Sequence, residues 1–399
     1  MNSPLNKIPK CLTFLLLSIG LFCLSCGSDD STSDIEVGLI DPELAAAVKE
    51  NYADIVYASY QDSYSEAVKL KDAIEAFLSA PGVETLADAK EAWITAREPY
   101  GQTEAYRFSN GPIDDGDGPE GLLNAWPLDE SWIDYVDGNE AAGFINDPTF
   151  TLSKEELENQ NERGGENNIS VGYHAIEFLL WGQDLTEPAE NQAGLRPHTD
   201  YLTDGSGTAE NQDRRSEYLM ICAELLLDNH HLMLDEWDPN GTNNYRATII
   251  GLPEEEALKN VFVGIQQMVQ SELASERMNV ALASRSQEDE QSCFSDNTHR
   301  DIRVNAQGVR NVYTGTYTRI NGTVVSGSSL SGMVTAVDAD IDANIFNAMN
   351  ASATAIEATA VPFDFAVSDD TQRDIVFNAV VELQNFGDLL EDGADALDL

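Results

Sequence analysis

The sequence predicts an all-α protein made of two helical-bundle lobes, with at most a small β-hairpin. Several long segments carry apolar residues at helical spacing. The first begins at Asp41-Pro42-Glu43, which combines a capping aspartate, a proline at the first helical position and an acid in the first turn, and it ends at Pro81-Gly82. A helix of about 38 residues would be about 57 Å long, a length typical of bundles. Residues 317–325, centred on Asn321-Gly322, are the hairpin candidate.

The first 25 residues read as a signal peptide. Lys7 and Lys10 precede a mostly apolar run at residues 11–24. That run is shorter than the roughly 20 residues that a membrane-spanning helix needs, but it suits the hydrophobic region of a signal peptide. Residues 1–25 are therefore expected to be absent from the mature protein.

Cys26 is the predicted lipidation site. The small Ser25 precedes it, as in a bacterial lipobox, although Cys23 stands where leucine is usual. An ordinary secreted protein cut nearby is the alternative. Residues 26–40 read as a flexible acidic tether, which resembles the surface-export signal of lipoproteins in the Bacteroidetes group. The sequence thus predicts a cell-envelope, outer-membrane lipoprotein, held to a lipid membrane through acylated Cys26 and compatible with surface exposure.

The mature chain, residues 26–399, is long enough for two domains. Pro239-Asn240-Gly241 is the best boundary, which divides it into an N-terminal lobe at residues 41–238 and a C-terminal lobe at residues 239–399. The sequence has 22 basic and 70 acidic residues, which gives a net charge of −48. The overall electrostatic field of such a chain repels nucleic acid, so nucleic acid is excluded as a partner bound through that field. Cys222 and Cys293 could form one bridge or remain two buried thiols.

A second helix should run from Thr85 past Pro99. The proline removes the hydrogen bond to the carbonyl group of Thr95, so a kink is expected there. Arg97 and Glu98 lie at this kink, where freed polar groups can converge on a buried partner. A surface kink with solvated charges is the competing interpretation.

Residues 171–181 form the helix around which the chain is organised. They are apolar on nearly every face, which predicts burial, and Ser170 is the expected N-cap. His174 and Glu177, three residues apart, lie side by side on this helix. A buried carboxylate must be paired, protonated or bound to metal. Gly172 indicates the close approach of another backbone.

Further helices are predicted near residues 213–237, from residue 253 onward, and at residues 338–358 and 370–390. Arg277 lies within the apolar stripe of the second of these. Asp296 can cap another helix, and His299 follows three residues later, so that an acid and an imidazole meet at a helix start.

The segment 172–177 has the pattern Gly-x-His-x-x-Glu, and the segment 178–184 continues it to Asp184. In these residues the chain resembles the imelysin family. The segments 97–101, 126–130 and 292–301 are similar to its iron-regulated protein A branch. The resemblance implies a two-domain helical fold, a cell-envelope location and a link to iron acquisition, and the family also carries a peptidase label. Gln291 stands where this branch is expected to have histidine.

A metal site between the lobes is the resulting prediction, with iron as the first choice of metal and zinc as the second, since histidine and carboxylates suit both. The expected metal ligands are His174, Glu177, Glu98, His299 and Asp296. The residues expected to surround them are Gly172, Arg97, Asp184 and Arg277.

Three functions remain open. The first is a lipoprotein that binds a metal or an iron-containing ligand and works with iron-uptake components. The second is a metallopeptidase with Glu98 and Glu177 as catalytic carboxylates, although the sequence has no His-Glu-x-x-His. The third is a purely structural core, with His174 and Glu177 bonded to each other or to arginines 97, 107 or 277.

Overall fold

A computed structural model describes residues 40–116 and 118–399. Cys26, the signal peptide and residues 26–39 of the tether lie outside this part of the chain. The α-helices are α1 (Pro42–Ser79), α2 (Val83–Thr103), α3 (Glu120–Leu123), α4 (Gly143–Asn146), α5 (Lys154–Gln160), α6 (Gly172–Trp181), α7 (Gln212–Trp237), α8 (Tyr245–Gly251), α9 (Glu254–Gln267), α10 (Val280–Ser284), α11 (Thr298–Thr314), α12 (Leu330–Val337), α13 (Ala339–Glu357), α14 (Phe363–Ser368) and α15 (Arg373–Ala396).

A single antiparallel hairpin, β1 (Thr316–Thr318) and β2 (Val324–Ser326), is the only sheet within the described residues. It lies where Asn321-Gly322 predicts it. The all-α class is therefore confirmed. No helix within the described residues is long and apolar enough to cross a membrane.

The first two helices form as predicted. The side chain of Asp41 accepts hydrogen bonds from the backbone N–H groups of Glu43 and Leu44, at 3.0 and 3.5 Å, and thereby starts α1. Helix α2 packs along α1. Pro99 lies inside α2 without ending it, and the chain continues through Thr103 into a 3-10 turn at Glu104–Tyr106.

Helix α6 is buried at every residue, as its all-round apolar pattern predicts. Val171, not Ser170, occupies the N-cap position, because the Ser170 hydroxyl donates instead to the carbonyl oxygen of Leu157, at 2.6 Å. Gly172 has a φ of +89°, and a Cβ atom there would lie 2.7 Å from the carbonyl oxygen of Leu123. The predicted close approach of another backbone is confirmed.

The helices after Pro239 pack directly on those before it. Residues 39–399 form one compact unit, in which α9 packs on α1, and α11 packs on α2. The boundary at residues 238–239 is thus a crossover within a continuous core, and a division into two lobes stays a prediction.

Between α9 and α10 the chain forms a π-helix, Met268–Asn279, which periodicity alone does not predict. Wider π-helical turns occur often at functional sites. This one carries Arg277 and packs against α11 and α15.

Candidate functional site

A three-residue hydrogen-bonded chain forms the centre of the buried polar region. His174 Nδ1 and Glu177 Oε2 share a hydrogen bond of 2.8 Å within α6. Glu177 Oε1 accepts two more from Ser295, one from its backbone N–H at 3.0 Å and one from its hydroxyl group at 2.6 Å. His174 and Glu177 are both fully buried. Both carboxylate oxygens are therefore engaged, whereas His174 Nε2 is buried with no partner.

Burial shifts the pKa values of this pair in opposite directions, because it disfavours the charged form of each group. Burial raises the pKa of Glu177 to about 8, although Ser295 and Arg97 partly offset this rise. Burial, together with the charges of Arg97 and Arg277, holds the pKa of His174 well below its ordinary value. The imidazole is consequently neutral at physiological pH, and metal ligation through Nε2 additionally requires Glu177 to give up its proton, so that Nδ1–H donates to an ionised carboxylate.

Trp126 connects this pair to a cavity. Its ring lies against the His174 ring, with centroids 5.1 Å apart, and against Phe294 at 5.8 Å. Trp126 also lines a cavity of about 370 Å³ whose walls come from both sides of Pro239. The side-chain oxygen of Gln291, which lines the same cavity, is buried without a partner.

The cavity is acidic. Its charged lining residues are Arg107, Arg277, Glu120, Glu162, Glu166, Glu272, Glu276 and Asp289. Arg277 donates to Glu272, Glu104 and the side chain of Asn305. Burial raises the pKa of Glu120 to about 7, despite an ion pair with Arg107 at 3.2 Å. Such a cavity favours cations and cation-containing ligands over anions.

Arg97 lies close to the pair but contacts other residues. Its Nε and Nη2 atoms lie 3.0 Å from an Asp301 carboxylate oxygen, and Nη1 donates to the side chain of Asn124. Its charge still lowers the pKa values of both His174 and Glu177. Arg97 thus acts on the pair electrostatically without contacting it, and its participation in the site stays a prediction.

Glu98 does not reach His174 in this structure. Its two carboxylate oxygens form a bidentate ion pair with Arg300, with both distances at 2.7 Å, at a partly exposed position. The reason is helix geometry, since consecutive residues of α2 point to different sides. A catalytic or ligating Glu98 would have to leave Arg300.

The two candidates from the chain after Pro239 also lie apart from the pair. His299 Nδ1 bonds to the backbone carbonyl oxygen of Asp296, at 3.0 Å. Asp296 does not cap α11, whose N-cap residue is Asn297, because Asp296 adopts a left-handed conformation with φ of +58°. Ser295, which sequence reasoning did not single out, takes the position next to Glu177.

The Asp296 side chain meets two other aspartates. Within the described residues, Asp184, Asp296 and Asp364 are the group of three metal-ligating side chains whose donor atoms all lie within 4.8 Å of one another. His174 is not part of that group. It therefore offers a metal one imidazole nitrogen, with Glu177 orienting the ring from behind, as carboxylates commonly orient metal-binding histidines. Because the chain offers one ligand atom here, the arrangement suits a metal complex whose other ligands come from the bound molecule. It suits a bare ion less well.

The sequence contains a partial signal for the site residues that were not predicted from it. Ser295 and Asp301 both lie in the segment 292–301 that supports the family resemblance, so contact with the central helix could have been inferred for them. Asp364 lies in a short helix with no such signal. Cys222 and Cys293 are both buried and free, which resolves the alternative left open for them.

A helical protein with a fully buried histidine–glutamate pair on a Gly-x-His-x-x-Glu helix is the class that fold and site together define. The sequence profile of the imelysin family, peptidase M75, matches residues 56–387. The chain belongs to the imelysin family.

Iron-regulated protein A of Synechococcus elongatus is 26% identical over 263 residues, which cover 65% of this chain and 62% of the relative. The match thus spans less than two thirds of that protein. Two crystal structures share the fold. One is an iron-regulated protein A precursor from Parabacteroides distasonis, with a TM-score of 0.66, 20% identity and coverage of 89% of this chain and 96% of the other. The second is an imelysin-like protein from Psychrobacter arcticum, with a TM-score of 0.59, 13% identity and coverage of 87% and 94%.

Proposed function

We propose that this chain takes part in iron acquisition at the bacterial cell envelope and binds an iron-containing ligand beside His174. The observation that carries this proposal is the His174 Nε2 atom. It is fully buried and has no partner, while Nδ1 is held by Glu177. A buried nitrogen without a hydrogen bond costs stability, so its retention favours a role in binding.

The surroundings support a cationic or metal-bearing ligand. The cavity next to Trp126 has a volume of about 370 Å³ and carries more acids than arginines. His174 would hold the metal, and Glu177, itself held by Ser295, would fix the orientation of the ring. The bond between His174 and the metal would provide part of the affinity for the whole ligand, and the acidic walls of the cavity would attract its positive charge. The iron-regulated name of the cyanobacterial relative agrees with this role.

The peptidase alternative has less support. A zinc peptidase needs three protein ligands and a general base. Within the described residues, His174 belongs to no group of three metal-ligating side chains, and Glu98 is bound to Arg300. Peptidase activity is therefore not part of the proposal.

The test is metal retention by purified protein. Wild-type protein is incubated with ferrous ion under anaerobic conditions, with ferric citrate or with zinc, and then desalted and assayed for bound metal. Quenching of tryptophan fluorescence that is lost in Trp126→Phe reports binding at the same site, because the chain contains four other tryptophans. We expect the wild type to retain iron and His174→Gln to lose that retention.

The matched control is His231→Gln, because His231 is an exposed histidine on α7. It should retain iron as the wild type does. Circular dichroism establishes that each variant is folded. If wild-type protein retains none of the three probes, or if His174→Gln retains iron equally well, the pair has a structural role and the proposal fails.

The envelope location rests on the sequence. The segment around Cys26 predicts acylation, which would anchor the protein to a membrane near iron-uptake components. Mass spectrometry of detergent-extracted protein should find a lipid-modified Cys26 at the N-terminus. An unmodified cysteine there contradicts the anchor, but leaves the His174 site untouched.

A further inference from the structure

Three distant segments place carboxylates together outside the histidine site. Asp184 follows α6, Asp296 precedes α11, and Asp364 lies in α14. Their nearest oxygens lie within 4.8 Å of one another. The segment that carries Asp184 is tied to residue 287, because the side chain of Gln287 donates to the backbone carbonyl oxygens of Asp184 and Thr186, at 2.9 and 3.2 Å.

A fourth carboxylate, that of Glu290, lies against this group. Glu290 is 1% exposed, and neither of its side-chain oxygens has a hydrogen-bond partner. The Thr298 hydroxyl is close enough to lower its pKa without meeting hydrogen-bond geometry. Besides burial, which is the main cause, the charges of Asp364, Asp296 and Asp184 raise the pKa of Glu290, so its carboxyl group lies near the three aspartates.

No basic side chain balances these acids. Burial and neighbouring carboxylates raise the pKa of Asp296 to about 7 and that of Asp364 to about 6. No lysine or arginine among the described residues is a cause of the pKa shift of Asp184, Asp296 or Asp364, and none is among the largest causes for Glu290. Four clustered carboxyl groups with this little solvent are stable only when they are protonated or when they share a cation.

The oxygens remain available for a ligand. Asp184 Oδ1 accepts from the backbone N–H and the hydroxyl group of Thr186, at 3.0 and 2.9 Å, which fixes that side chain. Asp296 itself has a left-handed backbone conformation, with φ of +58°, and its side chain lies with those of Asp184 and Asp364. A donor set made only of carboxylate oxygens suits hard cations rather than zinc or copper.

We propose that Asp184, Asp296 and Asp364 form a binding site for one hard divalent cation, with Glu290 as a neighbouring carboxylate and calcium as the expected ion. Calcium takes six to eight oxygen ligands at about 2.3–2.6 Å, so three carboxylate oxygens that lie within 4.8 Å of one another can contact one such ion, and water can complete its coordination. Calcium also tolerates irregular ligand geometry, whereas magnesium requires a near-ideal octahedron.

This site is distinct from the one at His174, although residues of the two sites are adjacent along the chain. Ser295 donates twice to Glu177, and Asp296 follows it directly. A cation on Asp296 would fix the loop that carries Ser295. The inference does not rest on the proposed iron function, because it requires no metal at His174.

The experiment uses mature protein that has been treated with a chelator and then desalted. Calcium, magnesium and manganese are titrated separately by calorimetry, and the melting temperature is measured with and without each ion. We expect calcium to bind with a stoichiometry of one and to raise the melting temperature by several degrees.

Asp296→Asn and Asp364→Asn should each abolish that calcium-dependent rise. They should also leave the metal-free protein at least as stable as the wild type, because they remove like-charge repulsion. This second expectation separates a lost site from a misfolded variant. The matched control is Asp147→Asn, because Asp147 forms the same aspartate–threonine turn as Asp184 but is exposed.

Asp147→Asn should retain calcium binding. The proposal is overturned if wild-type protein binds none of the three ions, if magnesium or manganese binds and calcium does not, or if both site variants keep the calcium response. Iron retention by the same preparations reports separately on His174.

Discussion

Two regions of this protein bury carboxylates and offset the cost of that burial in opposite ways. Asp134 is fully buried and accepts from Arg196 at 2.6 Å and from Arg215 at 2.7 and 2.9 Å. These arginines lower its pKa. The carboxylate cluster of Asp184, Asp296, Asp364 and Glu290 has no such partner, and its pKa values are all raised.

The contrast separates structural charge from charge kept for a ligand. At Asp134, charge-assisted hydrogen bonds from Arg196 and Arg215 offset the free-energy cost of removing the carboxylate from water. In the carboxylate cluster nothing in the chain repays it, so an external cation or bound protons must do so. Burial alone is therefore not a sign of function, whereas burial without a counter-charge is.

The largest expected effect comes from breaking the paired region. Asp134→Asn leaves Arg196 and Arg215 buried with little compensation, and removing one partner of a buried ion pair costs about 3–5 kcal/mol. Urea unfolding of the variant and the wild type measures this loss. Asp296→Asn is the matched comparison, which should cost nothing in metal-free protein. A loss at Asp134 as small as that at Asp296 would break the contrast between the two regions.

Glu120 is intermediate between the paired Asp134 and the unpaired carboxylate cluster. It has an arginine partner, Arg107, but shares it with Glu104, Asp114 and Glu272. Its folded-state pKa of about 7 lies above the ordinary value of 4.5, so the folded protein holds the extra proton between these values. Stability should therefore fall as pH rises from about 4.5 to 7.

Glu120→Gln should remove that part of the pH dependence, an effect on the order of 2 kcal/mol across the window. Unfolding free energies of both proteins at a series of pH values measure it. Asp134 has the opposite sign, because its lowered pKa makes its contribution disappear as pH falls. If Glu120→Gln leaves the slope between pH 4.5 and 7 unchanged, Arg107 compensates Glu120 fully and the intermediate class does not exist.

The smallest expected effect is at the protein surface. The Glu98–Arg300 pair is bidentate, but the side chains are 36% and 40% exposed. Exposed pairs contribute about 0.2–1 kcal/mol, so Glu98→Gln and Arg300→Gln should each cost no more than that. Neither should alter iron retention or calcium binding. Loss of iron retention in Glu98→Gln alone would restore Glu98 as a ligand and contradict its assignment to the surface pair.

The sequence by itself determined the helical class, the central helix and several ends of the long helices. These features depend on local physics, such as the cap at Asp41, the apolar periodicity of α7 and the turn at Asn321-Gly322. It also placed His174 beside Glu177, because residues three positions apart in a helix are neighbours on the same face. The requirement for a partner followed from the apolar faces around them.

Only the tertiary structure decided which partners those residues have. Ser295 lies 118 positions from Glu177, and Asp364 lies far from Asp184 along the chain, so no local pattern joins them. The predicted set was divided accordingly: His174 and Glu177 remained together, Asp296 joined Asp184, and Glu98 paired with Arg300. Long-range packing selects among residues that are equally suitable in chemistry, because distance in space, unlike helical spacing, is not encoded by position in the sequence.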